Sequence, residues 1–164
     1  MSLLRPDRYF TDVHAIDLDA LRRAGIDGLL VDIDNTILPR DTNVITPEAA
    51  RWAANLKRRG FRVCLISNNW HERVYLLAGE LGFDIVAKAV KPLPFAFRAA
   101  LRRVGLRARQ CAVIGDQLFT DILGGNLLGA TTILVRPLST SDLPHTLALR
   151  LLERRIMAER EPEA

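Results

Sequence analysis

The stretch Gly28-Leu29-Leu30-Val31-Asp32-Ile33-Asp34-Asn35-Thr36 decides the fold, because an apolar run ends there in two acids. Residues 29–33 predict a short buried strand. Asp32 and Asp34 are two positions apart, so both side chains project to one face of an extended chain. Neighbouring carboxylates repel each other, and such a pair usually persists because a cation or a shared proton lies between them. The pattern favours a catalytic edge over a plain turn after a strand.

The composition is that of an ordinary globular protein, with 164 residues, 49% apolar and 26% charged. This length predicts a single domain over residues 1–164. No apolar run reaches the roughly 20 residues of a membrane span, and the N-terminus lacks a secretory-signal pattern. Cys64 and Cys111 lie in strand-like runs, so we expect buried free thiols in a reducing, cytoplasmic compartment rather than a disulfide or a metal pair.

The net charge of +4 favours anionic partners, namely phosphorylated metabolites, nucleic acid or anionic lipid headgroups. Many of the cations fall in short runs, such as residues 57–59 and 102–103, and in the C-terminal tail. Solvated helix faces explain any single run equally well, so the charge alone does not select a partner.

Strand and helix patterns alternate along the chain. Strands are predicted at 29–33, 61–66, 84–87, 111–115 and 131–135, and helices at 46–59, 71–81, 94–104, 118–128 and 142–160. Helices between strands imply a parallel sheet, and continuously apolar strands imply that helices cover both of its faces. The sequence therefore predicts an α/β protein with a three-layer, doubly wound (Rossmann-like) parallel sheet of about five strands.

The last predicted helix, 142–160, is amphipathic. It places Leu147, Leu151, Leu152 and Ile156 on one side, with arginines elsewhere. We expect the apolar side to pack on the core, and contact with a membrane surface stays open as the alternative.

Polar side chains follow the predicted strands at their carboxyl ends, where ligands bind in such folds. The first strand ends in Asp32 and Asp34, the second in Ser67-Asn68-Asn69, and the fourth in Gly115-Asp116-Gln117 with Asp121 five residues later, while Lys88 and Lys91-Pro92 follow the third. These residue types suit phosphoryl transfer, which needs Mg²⁺ ligands such as Asp32 and Asp116, a lysine, and hydroxyl or backbone donors. A carboxylate can also serve as nucleophile, and a second one as general acid and then base.

The order and spacing of these motifs resemble the four motifs of the haloacid dehalogenase (HAD) superfamily over residues 28–136. The matching motifs are residues 32–36, Ser67-Asn68-Asn69, Lys91-Pro92, and Gly115-Asp116-Gln117 with Thr120-Asp121. More narrowly, Asp34-Asn35-Thr36, residues 115–121 and Gly124-Gly125-Asn126 look like the YqeG family of HAD subclass IIIA. That family is similar to the mitochondrial phosphatidylglycerophosphate phosphatases. The resemblance implies a HAD-like fold and a Mg²⁺-dependent phosphatase.

The resemblance also implies the catalytic roles. Asp32 attacks phosphorus to form an aspartyl-phosphate, and Asp34 protonates the leaving oxygen and later activates water. Mg²⁺ is bound by Asp32, by Asp116 and by the main-chain carbonyl of Asp34.

Phosphate binding falls, by the same resemblance, to Ser67 and Lys91, which hold phosphoryl oxygens, while Asn68 touches the phosphate or the substrate. Lys91 is preferred to Lys88 because it precedes a proline, as in the family. Three further residues have supporting roles: Thr36, Gly115 and Asp121.

Simpler structural roles stay open for several of these residues. Ser67 fits a helix N-cap, and Asp121 fits an acid favoured by the dipole at a helix start. Thr36 fits a turn fixed by a backbone bond. Trp70 and His71 lie next to the second motif, where they could meet substrate or remain at the surface.

The spacing between motifs leaves no room for a cap domain. Only residues 37–45 separate the first motif from the next helix, and residues 69–91 hold one helix and one strand. An open site needs another way to exclude water, such as a bulky substrate, a membrane surface or a partner protein. We therefore favour a phosphorylated lipid or macromolecule over a small sugar phosphate, and the resemblance suggests phosphatidylglycerophosphate.

Two other classes of function compete with a phosphatase. A signalling receiver domain also uses acids, a hydroxyl and a lysine, but the strand-two end, Ser67-Asn68, lacks its phosphoacceptor aspartate. The main alternative is a non-catalytic binding or assembly module on a HAD fold that contacts RNA or protein. RNA binding would show a steep dependence on salt concentration.

Overall fold

The computed structural model describes residues 3–42, 44–140, 144–158 and 160–163, with the backbone alone described for 144–147. The strands are β1 (Arg8–Phe10), β2 (Gly28–Val31), β3 (Arg62–Ile66), β4 (Asp84–Val86), β5 (Cys111–Gly115) and β6 (Thr131–Val135). The α-helices are α1 (Leu18–Arg23), α2 (Pro47–Arg58), α3 (Glu72–Leu81), α4 (Pro94–Val104), α5 (Leu123–Leu128) and α6 (Pro144–Ile156). Short 3₁₀ turns cover Val13–Ala15 and Ala108–Gln110, and one π-helical turn, Leu118–Ile122, leads into α5.

The strands form one parallel sheet in the order β1-β6-β5-β2-β3-β4. From the central strand β2 the chain first moves outward to β3 and β4, then returns to the other side of β2 with β5 and β6. The strand order therefore reverses between β2 and β5. In open parallel sheets, ligands bind at the carboxyl ends of the strands at such a reversal.

Helices cover both faces of this sheet, which confirms the predicted three-layer α/β fold. Leu29 and Val31 point to one face and pack into a core that includes Leu56 of α2. Leu30 points to the other face and packs with Phe97 of α4. Because successive residues of a strand point to opposite faces, the apolar run of β2 serves both layers at once.

Local sequence signals set the helix ends. Thr46 accepts a hydrogen bond from the backbone N–H of Ala49 at 3.1 Å, and Pro47 occupies the first turn of α2, which lies within the helix predicted at 46–59. α3 and α4 both end at glycines in the left-handed conformation, Gly82 and Gly105. These boundaries fix the lengths of the connections that carry the polar motifs.

Within the part of the chain that the structure describes, the sheet has six strands rather than about five. The additional strand, β1, pairs with β6 at the edge of the sheet. Its sequence, Arg8-Tyr9-Phe10, is too short to show an alternating pattern, so tertiary pairing alone creates it. Helix α1 was not predicted either; Asp17 caps it by accepting a hydrogen bond from the N–H of Ala20 at 2.9 Å.

The expected orientation of the last helix is wrong. Leu151, Leu152 and Ile156 are 65%, 46% and 41% exposed, while Glu153 is buried. α6 presents Arg150 and Glu153 to the protein instead, and Met157, directly after the helix, packs against the cluster of Leu118, Ile122 and Leu134. The charged face of α6 can be buried because Asp116 and the backbone N–H of Leu118, which follow β5, pair with its charged side chains. The side chain of Leu147 lies outside the described part of the chain.

Cys64 and Cys111 are both buried free thiols, as predicted. Burial raises the pKa of the Cys64 thiol to about 12 and that of Cys111 to about 11. Both are therefore protonated apolar side chains of the core at neutral pH.

Candidate active site

Loops from four strands meet at the carboxyl edge of the sheet, around a cavity of about 540 Å³. The cavity is lined by Asp32, Asp34, Arg40, Asn68, Asn69, Trp70, His71, Lys91, Gln117, Thr120, Asp121 and Leu149. Members of all four sequence motifs therefore lie at one place. In the described residues, the link between β2 and α2 holds no further helix or strand, so no cap covers the cavity from there.

Asp32 lies at the centre of the site because β2 lies between β3 and β5. Its backbone N–H donates to the carbonyl of Ile114 at 2.9 Å, which extends the pairing of β2 with β5 by one residue. Thr36 follows one tight turn later, and its hydroxyl donates to Asp32 Oδ2 at 3.1 Å. The same hydroxyl lies 3.4 Å from Asp116 Oδ1. Thr36 thus links the carboxylates of the first and last motifs.

Lys91 is the cation among these carboxylates. Its Nζ lies 2.6 Å from Asp32 Oδ1 and 2.7 Å from Asp121 Oδ1, and all three side chains are buried. Burial by itself lowers the pKa of Lys91, but the charges of Asp121 and Asp32 outweigh it and raise the pKa above its usual value. Lys91 therefore stays protonated at neutral pH.

Backbone contacts between two loops position Lys91. Its N–H donates to Asn68 Oδ1 at 2.7 Å, and the N–H of Ala89 donates to the carbonyl of Ser67 at 3.0 Å. The N–H of Lys88 donates to the carbonyl of Asn69 at 3.2 Å. These hydrogen bonds from the loop after β3 thus fix the position of the loop after β4, which carries Lys91. Lys88 itself is exposed, and the Lys91–Pro92 peptide bond is cis.

Asp116 and Asp121 complete the acidic cluster. Asp116 directly follows β5, and Asp121 approaches from the π-helical turn so closely that a Cβ on Gly115 would overlap its carboxylate. Burial raises the pKa of Asp116, and the charge of Asp32 adds to this, while Arg150 opposes it. Burial raises the pKa of Asp121 to about 6, against the opposing charge of Lys91. Glycine at position 115 is therefore a steric requirement of the cluster.

Asp34 lies apart from that cluster, on the cavity wall. Burial raises the pKa of Asp34, and the neighbouring charge of Asp32 adds to the shift, whereas Arg40 lowers it. A carboxyl group with a raised pKa next to a second carboxyl group is the usual arrangement of a general acid beside a nucleophile.

Side-chain oxygens of Asp32, Asp116 and Asp121 lie within 4.8 Å of one another. Three carboxylates at this spacing suit a hard divalent cation, so the residues fit the metal that the sequence implied. The predicted metal residues were Asp32, Asp34 and Asp116; among side-chain ligands the structure adds Asp121 to this group.

The remaining predicted residues differ in their exposure. Ser67 is fully buried, and its Oγ accepts a hydrogen bond from the N–H of Asn69 at 3.0 Å. Asn68 lines the cavity, and its amide oxygen is occupied by the N–H of Lys91. Trp70 and His71 are exposed residues of the cavity rim.

The sequence did not single out Arg40, Leu149, Arg150 or Glu153. Arg40 and Leu149 line the cavity, and the side chain of Arg150 forms an ion pair with Asp116. A signal for the last pair existed: Arg150 and Glu153 are three residues apart and therefore share one face of a helix. In a tail rich in arginine, this spacing did not distinguish a buried pair from a solvated one.

The haloacid dehalogenase-like hydrolase family matches residues 7–129, and the chain belongs to this family. A Bacillus subtilis (strain 168) relative bears the name "Probable phosphatase YqeG". It is 39% identical over 153 residues, which cover 93% of this chain and 89% of that protein. The family match and the similarity to this relative together show that the chain is a phosphatase of the HAD superfamily.

The chloroplastic phosphatidylglycerophosphate phosphatase 1 of Chlamydomonas reinhardtii is 32% identical over 152 residues. That match covers 87% of this chain and 56% of the relative, so the chain spans about half the length of that protein. The solved structure of deoxy-D-mannose-octulosonate 8-phosphate phosphatase from Haemophilus influenzae is similar, with a TM-score of 0.55 at 15% identity. This likeness covers 82% of this chain and 89% of that one, and it supports the fold alone.

Proposed function

We propose that the chain is a Mg²⁺-dependent phosphomonoesterase that works through an aspartyl-phosphate on Asp32. The observation that carries this proposal is the setting of Asp32: one oxygen lies 2.6 Å from Lys91 Nζ, and the other accepts a hydrogen bond from Thr36 at 3.1 Å. The carboxylate is thereby oriented toward the cavity in which Asp34 also lies. We take residues 1–164 as one capless hydrolase unit of which α6 is a part.

In the proposed first step, a carboxylate oxygen of Asp32 attacks phosphorus, and the bond between phosphorus and the ester oxygen breaks. Asp34 gives its proton to the leaving oxygen, a role that its raised pKa supports. In the second step, Asp34 takes a proton from water, which attacks the phosphorus. Inorganic phosphate leaves, and the Asp32 carboxylate is restored.

Lys91 is proposed to bind phosphoryl oxygens and to offset the charge that develops on them, because it is the buried cation beside Asp32. Ser67 and Asn68 are proposed to contribute to the same phosphate site. Asp32, Asp116 and the carbonyl of Asp34 are the proposed Mg²⁺ ligands, with Asp121 close enough to hold the cation or its waters. The bound cation would supply Lewis-acid charge stabilisation to the phosphoryl oxygens.

The rim of the cavity favours a lipid phosphate over a small sugar phosphate. Trp70 is 69% and Leu149 37% exposed although both line the cavity. Leu152 and Ile156 continue the apolar surface from Leu149 along α6, and Arg40 adds a cation at the mouth. Exposed apolar groups mixed with cations suit the interface of an anionic membrane. We therefore propose phosphatidylglycerophosphate as substrate, in line with the names of two relatives.

The test measures phosphate release from phosphatidylglycerophosphate in mixed micelles, with and without Mg²⁺, beside a panel of soluble monoesters. The expected result is Mg²⁺-dependent release from the lipid that is faster than from any soluble ester. Equal slow release from every ester would contradict the lipid assignment and leave the phosphatase. No release from any ester by metal-loaded protein would contradict the phosphatase mechanism and favour the binding module instead.

Within the described residues, no helix has both the length and the apolar character needed to cross a membrane. The proposed contact with a lipid substrate is made by the cavity rim and the exposed apolar side of α6. Replacing Trp70 by serine should slow release from micelles more than release from a soluble ester, because Trp70 is a rim residue outside the acidic cluster.

A further inference from the structure

Helix α6 reaches the acidic cluster through a buried arginine. Arg150 Nη2 donates to Asp116 Oδ2, and Nη1 donates to the main-chain carbonyl of the same residue at 2.5 Å. The Arg150 side chain is 11% exposed, and that of Asp116 is fully buried. One guanidinium therefore holds both the side chain and the backbone of one aspartate.

Glu153 secures this arrangement from the same helix face. Its Oε2 accepts a hydrogen bond from Arg150 at 3.2 Å, and its Oε1 accepts one from the backbone N–H of Leu118 at 2.7 Å. The segment from Asp116 to Leu118 is thus held at both ends by α6. Side chains that are themselves held by a second partner keep a fixed rotamer.

The two oxygens of Asp116 face different partners. Oδ2 is engaged by Arg150, while Oδ1 lies 3.4 Å from the Thr36 hydroxyl, which also bonds Asp32. Only Oδ1 is therefore directed at the centre of the cluster. A planar guanidinium, unlike an ammonium, can hold a carboxylate and a carbonyl at the same time in one orientation.

We propose that Arg150 is a positioning residue that fixes Asp116 for the divalent cation, which makes the C-terminal helix a structural part of the metal site. The proposal rests on the metal-dependent function proposed above. It assigns Arg150 no contact with substrate. Its action is to hold Oδ2 and the carbonyl so that Oδ1 is presented before the cation arrives.

The test measures the Kd of Mn²⁺ for the full chain without substrate, from the electron paramagnetic resonance signal of free Mn²⁺, with Mg²⁺ competition. We expect Arg150→Met to raise the Kd by about 10- to 100-fold, the usual cost of losing a group that orients a metal ligand. Arg150→Lys should recover part of the metal affinity, because an ammonium group can hold Oδ2 of Asp116 but not Oδ2 and the main-chain carbonyl oxygen at the same time. This variant also keeps the test valid if Arg150→Met folds poorly.

Two control variants separate positioning from general effects of α6. Arg155→Met removes an exposed cation from the same helix and should leave the Kd unchanged. Met157→Ala weakens the packing of the residue that directly follows α6 against Leu118 and Leu134 without touching Asp116, so it should lower the Tm but not the metal affinity. Circular dichroism melts of every variant report folding independently.

An unchanged Kd for Arg150→Met overturns the proposal. An equal loss of metal affinity in Met157→Ala also overturns it, because Arg150 would then only attach α6 to the rest of the protein. A tighter Kd also overturns it, because Arg150 would then compete with the cation. A wild-type protein that binds neither Mn²⁺ nor Mg²⁺ overturns both this inference and the metal-dependent mechanism. If the protein binds metal but hydrolyses no ester, the proposed function fails, and the Kd series still decides the role of Arg150.

Discussion

The ion pairs that lie at the carboxyl ends of the strands are buried, whereas an ion pair at the amino ends of the strands is exposed to solvent. These two ends are the carboxyl edge and the amino edge of the sheet. Lys91 and its two carboxylate partners are at most 8% exposed in their side chains. At the amino edge, Arg22 and Asp27 form an ion pair with side chains 30% and 46% exposed. Exposed pairs contribute little to stability, and buried ones often cost more than they return. The buried group therefore points to chemistry, and the exposed pair is ordinary surface.

The backbone shows the same contrast. Left-handed glycines occupy the loops that lead from helices into strands at the amino edge: Gly25, Gly60, Gly82, Gly105 and Gly129. At the carboxyl edge, left-handed residues with side chains lie in the loops of the site: Asn35, Lys88 and Val90. A β-branched residue such as Val90 is rare in that conformation, which costs on the order of 1–3 kcal/mol. Among the residues that the structure describes, the left-handed positions other than glycine therefore all lie at the edge whose loops place Lys91 and Asp32.

The largest expected effect is on kcat, and it tests whether the catalytic residues lie at the carboxyl edge of the sheet. Asp32→Asn removes the proposed nucleophile and should lower kcat by about 10³-fold or more. Steady-state phosphate release measures it. Asp27→Asn, an equivalent change at the amino edge, should leave kcat unchanged, and a similar loss in both variants would break the comparison.

The next prediction concerns the buried cation. Lys91→Met leaves Asp32 and Asp121 without their shared partner, so the free energy of unfolding should fall by about 3–5 kcal/mol in metal-free protein. Urea denaturation measures the change. Lys88→Met, three residues earlier and exposed, is the matched control and should unfold like the wild type. A Lys91 variant of wild-type stability would show that the carboxylates do not depend on this lysine.

A smaller effect is expected from two glycines. Gly115→Ala places a methyl group against the Asp121 carboxylate, so stability should fall by about 1–3 kcal/mol and metal affinity should weaken. Gly79→Ala meets nothing within 4 Å on α3, and helix propensity should make it neutral or stabilising by up to about 1 kcal/mol. Thermal melts and Mn²⁺ titrations of the two variants check both statements. Equal melting temperatures would remove the steric argument for Gly115.

The smallest expected effect is that of Asp27→Asn on stability, a loss of about 0–1 kcal/mol, because its pair with Arg22 is screened by solvent. Denaturation in low and high salt measures it. A loss as large as that of Lys91→Met would mean that the amino edge also depends on its charges, and the contrast between the edges would no longer hold.

Much of the fold was predictable because its signals are local. Apolar runs separated by amphipathic segments predicted β2 to β6, and caps such as Thr46 fixed helix boundaries. β1 escaped prediction because three residues carry no period. In the site, Asp32 and Asp116 were predictable from their places at strand ends, whereas Lys91 was preferred to Lys88 only through the family resemblance. Arg150 and Glu153 were not, because an exposed and a buried charged pair have the same sequence spacing.

By itself the sequence determined the alternation of strands and helices from β2 to β6, the acids at the strand ends, and the short spacing between the motifs, which leaves no room for a cap there. Those features depend on periodicity and on neighbours along the chain. The tertiary structure alone decided that Lys91 lies between Asp32 and Asp121 and that the missing side chain of Gly115 leaves space for Asp121. It also decided that α6 turns Arg150 inward and leaves Leu151 and Leu152 exposed. The physical reason is that these contacts join residues far apart in the chain. Whether a charged side chain is buried depends on partners that are distant in the sequence, and the pattern of neighbouring residues does not show those partners.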